Sequence, residues 1–229
     1  MKTIGLLGGM SWESTALYYR LINQETRRRL GGLHSAPLVL VSVDFEPIER
    51  LQVQGDWESA GRLLAERARE VEAAGANFLL LCTNTMHKVV GAIEDAIDIP
   101  LLHLADATAE CITANGHARV GLLGTRFTME QPFYRERLEA AGLDVVVPDT
   151  AGREQVHRII YDELCQGEIR AESRECYQSV VAALKAAGAD CIVAGCTEIT
   201  LLLKPQDCVL PLYDTAEIHA LAAVERALS

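Results

Sequence analysis

Two stretches of this 229-residue chain end in residues that could move a proton. The first, Gly75-Ala-Asn-Phe-Leu-Leu-Leu-Cys-Thr-Asn-Thr85, is an apolar run that stops in Cys82, Thr83, Asn84 and Thr85. The second, Gly188-Ala-Asp-Cys-Ile-Val-Ala-Gly-Cys-Thr-Glu198, stops in Cys196, Thr197 and Glu198. A thiolate is a base of moderate pKa that gives its proton back readily, which suits general acid–base work. Hydroxyls, an amide and free backbone N–H groups at a helix start suit a bound carboxylate. Both stretches follow a helix-like segment ending Ala-Ala-Gly. Laid over each other from Gly75 and Gly188, they set Thr83 opposite Cys196 and Asn84 opposite Thr197. Two copies of one strand-end facing each other across a cleft would form a two-sided site.

Each of these residues also has an ordinary reading. Free cysteine is among the most buried residue types and often simply packs. Cys196, however, follows Gly195 at a strand end and precedes a helix start, where unpaired backbone N–H groups lower a thiol's pKa from about 8.5. Cys82 and Thr83 are adjacent and point to opposite faces of a strand. The internal register selects Thr83 for the cleft; a slip of one residue would make Cys82 the working thiol instead. Asn84, Thr85 and Thr197 are helix-capping types, and Glu198 is the acid that a helix start favours. Capping is compatible with holding a carboxylate. His87 and Lys88 read as surface or capping residues, His103 and His219 as structural, and the remaining cysteines as packing or loop residues.

The elements that must position these groups come in two rounds. Lys2 to Gly9 reads as a buried strand ending in a glycine turn closed by Met10. A helix follows over about 11–30, then a strand at 37–44, a loop or short helical turn at 45–55, and a helix capped by Asp56 and running to Ala74. The first of the two stretches is the next strand, at 77–82. A helix near 86–95, a short strand at 101–102 and a helix from about 106 complete the round. Ala118-Arg-Val-Gly-Leu-Leu-Gly-Thr125 then repeats the opening strand, with Tyr134 in register with Tyr18, and Pro211-Leu-Tyr repeats Pro100-Leu-Leu. A strand at 144–147 and helices at about 154–165 and 171–187 lie between, and a last helix spans about 216–228. Three matching blocks in one order point to an internally duplicated unit. The fold class is therefore α/β, with two pseudo-symmetric lobes, each a parallel sheet flanked by helices. The lobes are expected at 1–101 plus 212–229 and at 102–211, with the site in the cleft between them, beyond the carboxyl ends of the strands.

Composition narrows the chemistry. The net charge is −11, and no long run of Lys or Arg occurs, which argues against nucleic acid or an anionic membrane as partner. Apolar runs are strand-length, too short to span a bilayer, and the N-terminus does not resemble a signal peptide. Seven cysteines, with no Cys-x-x-Cys, read as reduced thiols of a cytoplasmic protein. The six histidines do not cluster at metal-ligand spacing, so no metal is expected. The turn at Gly8-Gly9-Met10 lacks both the dinucleotide and the phosphate-loop patterns.

The Gly-Gly-Met turn at 8–10, Thr-Asn-Thr-Met-His at 83–87 and Gly-Cys-Thr-Glu at 195–198 resemble the aspartate/glutamate racemase family, over nearly the whole chain. The likeness is closest to its broad-specificity amino-acid racemases, which share Gly-Gly-Met-Ser-Trp-Glu-Ser-Thr at 8–15 and Cys-Thr-Asn-Thr-Met-His at 82–87. The resemblance implies racemisation without pyridoxal phosphate, other cofactor or metal, by acid/base groups on opposite faces of an amino-acid substrate. Cys196 and Thr83 would be the catalytic pair, with the C-terminal thiol on the side of the L-enantiomer. Asn84, Thr85 and Thr197 would hold the carboxylate; Met10, Gln52 and Glu198 would complete the binding set, with Gln52 near the substrate side chain. A homodimer is implied as well. The chain departs from the family pattern at Thr83, where a cysteine is usual, and Asp162-Glu-Leu-Cys-Gln-Gly167 offers no lysine of the kind aspartate-specific relatives use. Two other functions fit the same residues. One is a one-thiol decarboxylase or isomerase of arylmalonate type. The other is an amino-acid-binding protein that has lost its second base.

Overall fold

The protein is described from a computed structural model covering residues 1–229. Its first half comprises β1 (Ile4–Gly8), α1 (Trp12–Leu30), β2 (Leu38–Ser42), α2 (Phe45–Gln54), α3 (Trp57–Ala73) and β3 (Phe78–Leu81). A 3₁₀ turn (Thr85–Val89) then passes into α4 (Val90–Glu94), and α5 (Leu104–Ala114) follows. The second half runs β4 (Arg119–Gly124), α6 (Arg126–Glu130), α7 (Pro132–Ala140), β5 (Asp144–Val146), α8 (Thr150–Asp162), α9 (Ala171–Ala186) and β6 (Cys191–Gly195). It ends with α10 (Ile199–Leu202), β7 (Leu212–Asp214) and α11 (Thr215–Leu228).

The duplication read from the sequence is visible in the topology. One sheet has the order β2-β1-β3, the other β5-β4-β6-β7, and every pairing is parallel. Where β7 flanks β6, a single parallel bridge between Leu79 and Leu101 flanks β3. Gly75 and Gly188, which lead into the equivalent strands, share φ +94, a left-handed conformation that glycine adopts without a Cβ penalty. Strands β1, β3 and β6 are buried along their whole length. That is what a parallel strand covered on both faces requires, and it explains why their sequences read as unbroken apolar runs.

Contacts divide the chain into two units, Met1–Leu104 with His219–Ser229, and Ala105–Ile218. The sequence put the crossings at 101/102 and 211/212; the pairing of β7 with β6 keeps residues 212–214 in the second unit. In the first unit Leu7, Ile48, Leu64, Leu79 and Leu81 form the core, and in the second Leu123, Val156, Ile160, Tyr177 and Ile192 do. The C-terminal part of α11 belongs to the first unit. There the Lys2 N–H donates to Ala227 O (2.8 Å), and His219, fully buried, donates from Nε2 to Leu102 O (2.8 Å). Burial pushes the His219 pKa down to about 3, so the ring is neutral and its Nδ1 accepts from the Tyr18 hydroxyl (2.8 Å).

The segment read as a loop or short turn at 45–55 is instead the ten-residue helix α2. Asp44 caps it, Gly55 in the left-handed conformation ends it, and Ile48 and Gln52, one turn apart, are its buried side chains. Pro47 is tolerated because it lies in the first turn. α6 and α7 had no counterpart in the sequence reading; Pro132 restarts the chain as a helix after an extended Gln131. No helix is long and apolar enough to cross a membrane.

Candidate active site

In the second unit, β6 delivers its polar end as the spacing predicts. Cys196 follows the last strand residue and is 9% exposed. Its Sγ donates to Oε2 of Glu198 (3.0 Å), and the Thr197 hydroxyl donates to the same oxygen (2.8 Å). Three consecutive residues thus form one hydrogen-bonded group around a carboxylate. The expectation that a helix start lowers the Cys196 pKa is not met. α10 is only four residues long, too short to present an array of free N–H groups, and Glu198 stands at its N-cap position. Burial first, and then the Glu198 charge, push the thiol well above its ordinary range. At neutral pH Cys196 therefore holds its proton and shares it in the hydrogen bond to Glu198.

In the first unit the equivalent strand end carries Thr83. The Cys82 N–H still bonds to Leu7 O (2.9 Å), and its side chain is fully buried, with a thiol that burial pushes far up. Thr83 is half-buried. The two adjacent side chains therefore differ in access as an alternating strand end would have it. Asn84 and Thr85 follow, both nearly buried, at 5% and 8% exposure. The Asn84 side chain makes no capping hydrogen bond to the 3₁₀ turn it precedes, although capping is the ordinary role of such a residue.

His87, expected at the surface or as a cap, is buried at 1% exposure. Its Nδ1 donates to the Thr83 carbonyl (2.7 Å), while Nε2 accepts from the Leu104 N–H (3.3 Å). It fixes the backbone from which the Thr83 side chain projects. The signal was present in the spacing, since a residue four positions on returns beside the strand end after one helical turn. Lys88 lies over the Trp57 ring (3.8 Å), away from this role. Gln52 donates from Nε2 to Sδ of Met86 (2.9 Å), and Met86 packs in one apolar cluster with Met10 and Ile48. Met10 is set by the glycine turn before it. Gly9 has φ +95, and a Cβ there would fall 2.2 Å from Val43 O, so only glycine fits. The Gly9 N–H donates to Thr15 Oγ1 (2.8 Å), which in turn donates to Ser11 O (2.9 Å). Met10, Gln52, Thr83, Asn84 and Thr85 accordingly lie in the first unit, and Cys196, Thr197 and Glu198 in the second.

Residues 7–223 match the Asp/Glu/Hydantoin racemase family. The chain belongs to that family. Its members are isomerases, and the chain is an enzyme of that class. Among curated proteins it is 22% identical to the broad specificity amino-acid racemase RacX of Bacillus subtilis (strain 168), over 99% of this chain and 98% of the relative. Among solved structures, a proposed Asp/Glu racemase from Yersinia pestis is 55% identical with TM-score 0.95, each chain fully covered. An aspartate racemase homologue from Pyrococcus horikoshii OT3 is 33% identical with TM-score 0.86, again with each chain fully covered.

Proposed function

We propose that this enzyme racemises amino acids with protein groups alone, Cys196 serving the face of Cα from which the L-enantiomer loses its proton and Thr83 the other. Inversion requires proton exchange at both faces of a planar carbanion, so two groups are needed. The observation that carries the reading is the Cys196–Glu198 hydrogen bond at the end of β6, in a chain of the racemase family. Glu198 takes the thiol proton, and the thiolate then removes the α-proton. The carbanion receives a proton on the opposite face from the Thr83 hydroxyl, which is resupplied by water. A threonine alkoxide is too basic to persist, so the two transfers at Thr83 are coupled. Asn84, Thr85 and Thr197 hold the carboxylate, and Gln52 and Met10 border the side chain. A chiral assay over L-Asp, L-Glu, L-Lys, L-Arg and L-homoserine without added cofactor tests the reading. At least one is expected to give its D-enantiomer; none doing so would overturn it.

Two substitutions probe the parts. Glu198→Gln removes the negative charge that helps hold the Cys196 proton, so the thiol pKa falls and its alkylation by iodoacetamide at pH 7 quickens. Racemisation slows in the same variant, because the proton acceptor is gone. Peptide mass spectrometry following Cys196 alone measures the first effect; slower alkylation with unchanged turnover would contradict the dyad. Asn84→Ala loses a hydrogen bond to a charged group, worth roughly 1.5–3 kcal/mol. It should lower kcat/KM by about ten- to a hundredfold, whereas an unchanged value would leave the amide a purely local role.

A further inference from the structure

We propose that His117, Asp190 and Cys191 form a binding site for a zinc-class divalent cation at the amino-terminal edge of the second unit's sheet. One ligand atom from each residue lies within 4.8 Å of the others. The topology creates the cluster. β4 and β6 are neighbours, with Val120 paired to Cys191, and this brings the residues just before both strands together although they are far apart in sequence. No Cys-x-x-Cys or His-rich spacing announces it.

Backbone N–H groups fix one side of the carboxylate. Asp190 Oδ2 accepts the backbone N–H groups of Ala118 (2.9 Å) and Arg119 (3.2 Å). Oδ1 is buried and takes no N–H hydrogen bond, and the carboxylate faces the Cys191 thiol, so the two side chains already share a proton that a cation could replace. Arg119, the adjacent cation, pairs with Asp144 instead (3.1 Å). Nδ1 of His117 stands 3.7 Å from Oδ1. That is too long for a hydrogen bond. Two ligands bound tetrahedrally at zinc–nitrogen and zinc–oxygen lengths sit about 3.3–3.4 Å apart, so a shift of a few tenths of an ångström would let one cation span them.

The donor set favours zinc or cobalt over magnesium or calcium, since a thiolate and an imidazole are soft or borderline ligands. Binding exchanges the Cys191 S–H proton for the cation and releases that proton to solvent, with no change of oxidation state. Three protein ligands leave a fourth position open, and partly exposed His117 and Asp190 side chains give access from solvent. The site lies at the opposite end of β6 from Cys196, roughly 16 Å away along the strand. It therefore stands or falls apart from the proposed racemase chemistry.

Titration of the full chain with Co(II), after treatment with a chelator and its removal, tests the proposal. The expected result is a near-ultraviolet thiolate-to-cobalt charge-transfer band that saturates at one equivalent and is displaced by Zn(II). Cys191→Ser should abolish the band and Cys196→Ala should retain it. His117→Ala, at a partly exposed position, should weaken binding by at least about tenfold, since loss of an outer-shell partner alone costs 10–100-fold. The proposal is overturned if the parent chain shows no such band, if the band survives Cys191→Ser, or if His117→Ala binds cobalt as tightly as the parent.

Discussion

Replacing Cys196 with alanine lowers both inversion and α-proton exchange by about 10²–10⁴-fold, the contribution of a positioned acid/base group. The loss should fall mainly on kcat, since the thiol acts on the α-proton and the carboxylate-holding residues are untouched. The fold should survive. Cys196 packs at the margin of the second unit's core, and its truncation removes one sulfur from a site whose neighbours, Ile199 and Leu202 among them, remain. A circular-dichroism melt within a few degrees of the parent, together with the lost activity, would separate chemistry from stability. Substantial turnover in the variant would move the acid/base role elsewhere. Cys82 is a poor alternative, being fully buried with a thiol that burial holds protonated.

Thr83→Cys is expected to work in the other direction. A thiol is a far better acid and base near neutral pH than a hydroxyl, so the second face gains a competent proton carrier. Inversion should rise by about a hundredfold in kcat/KM, equally in both directions, the lower end of what a positioned acid/base supplies, and α-proton exchange without inversion should gain most for D-enantiomers. The position is half-buried and anchored through its carbonyl by His87, so the new side chain projects from an unchanged backbone. Time courses by chiral chromatography for Thr83→Cys and the parent side by side measure the gain. No increase from either enantiomer would show that the second proton does not pass through this position.

Much of this arrangement was legible in the sequence, and the reasons are local. A parallel strand buried on both faces must be a continuous apolar run, so β1, β3 and β6 announced themselves. Duplication then did what a single run cannot, because the alignment of Gly75 with Gly188 makes Thr83 the position equivalent to Cys196, each just beyond its own strand. What escaped were effects of burial and neighbours. The Phe45–Gln54 helix was obscured by Pro47 and by a mixed pattern in which only Ile48 and Gln52 turn inward. The acidity of Cys196 was misjudged because its sequence position resembles a helix start, whereas α10 spans four residues and the nearest group is a carboxylate. His87 looked like a polar residue near a helix end. Only the fold shows that it is buried between the Thr83 carbonyl and the Leu104 N–H. His117, Asp190 and Cys191 come together only through the pairing of β4 with β6.

With a thiol on one face of the carbanion and a hydroxyl on the other, proton exchange in D2O should differ between the two enantiomers. Racemisation has an equilibrium constant of one, so kcat/KM for inversion is equal in both directions and cannot reveal the asymmetry. Exchange without inversion can. A carbanion made from the L-enantiomer by Cys196 is reprotonated mostly from the face it left, after the thiol has traded its proton with solvent by way of Glu198. L-substrate should therefore acquire α-deuterium faster than D-product appears, while D-substrate should show little exchange without inversion. Equal retained exchange for both enantiomers, followed by mass spectrometry after chiral separation, would contradict the account.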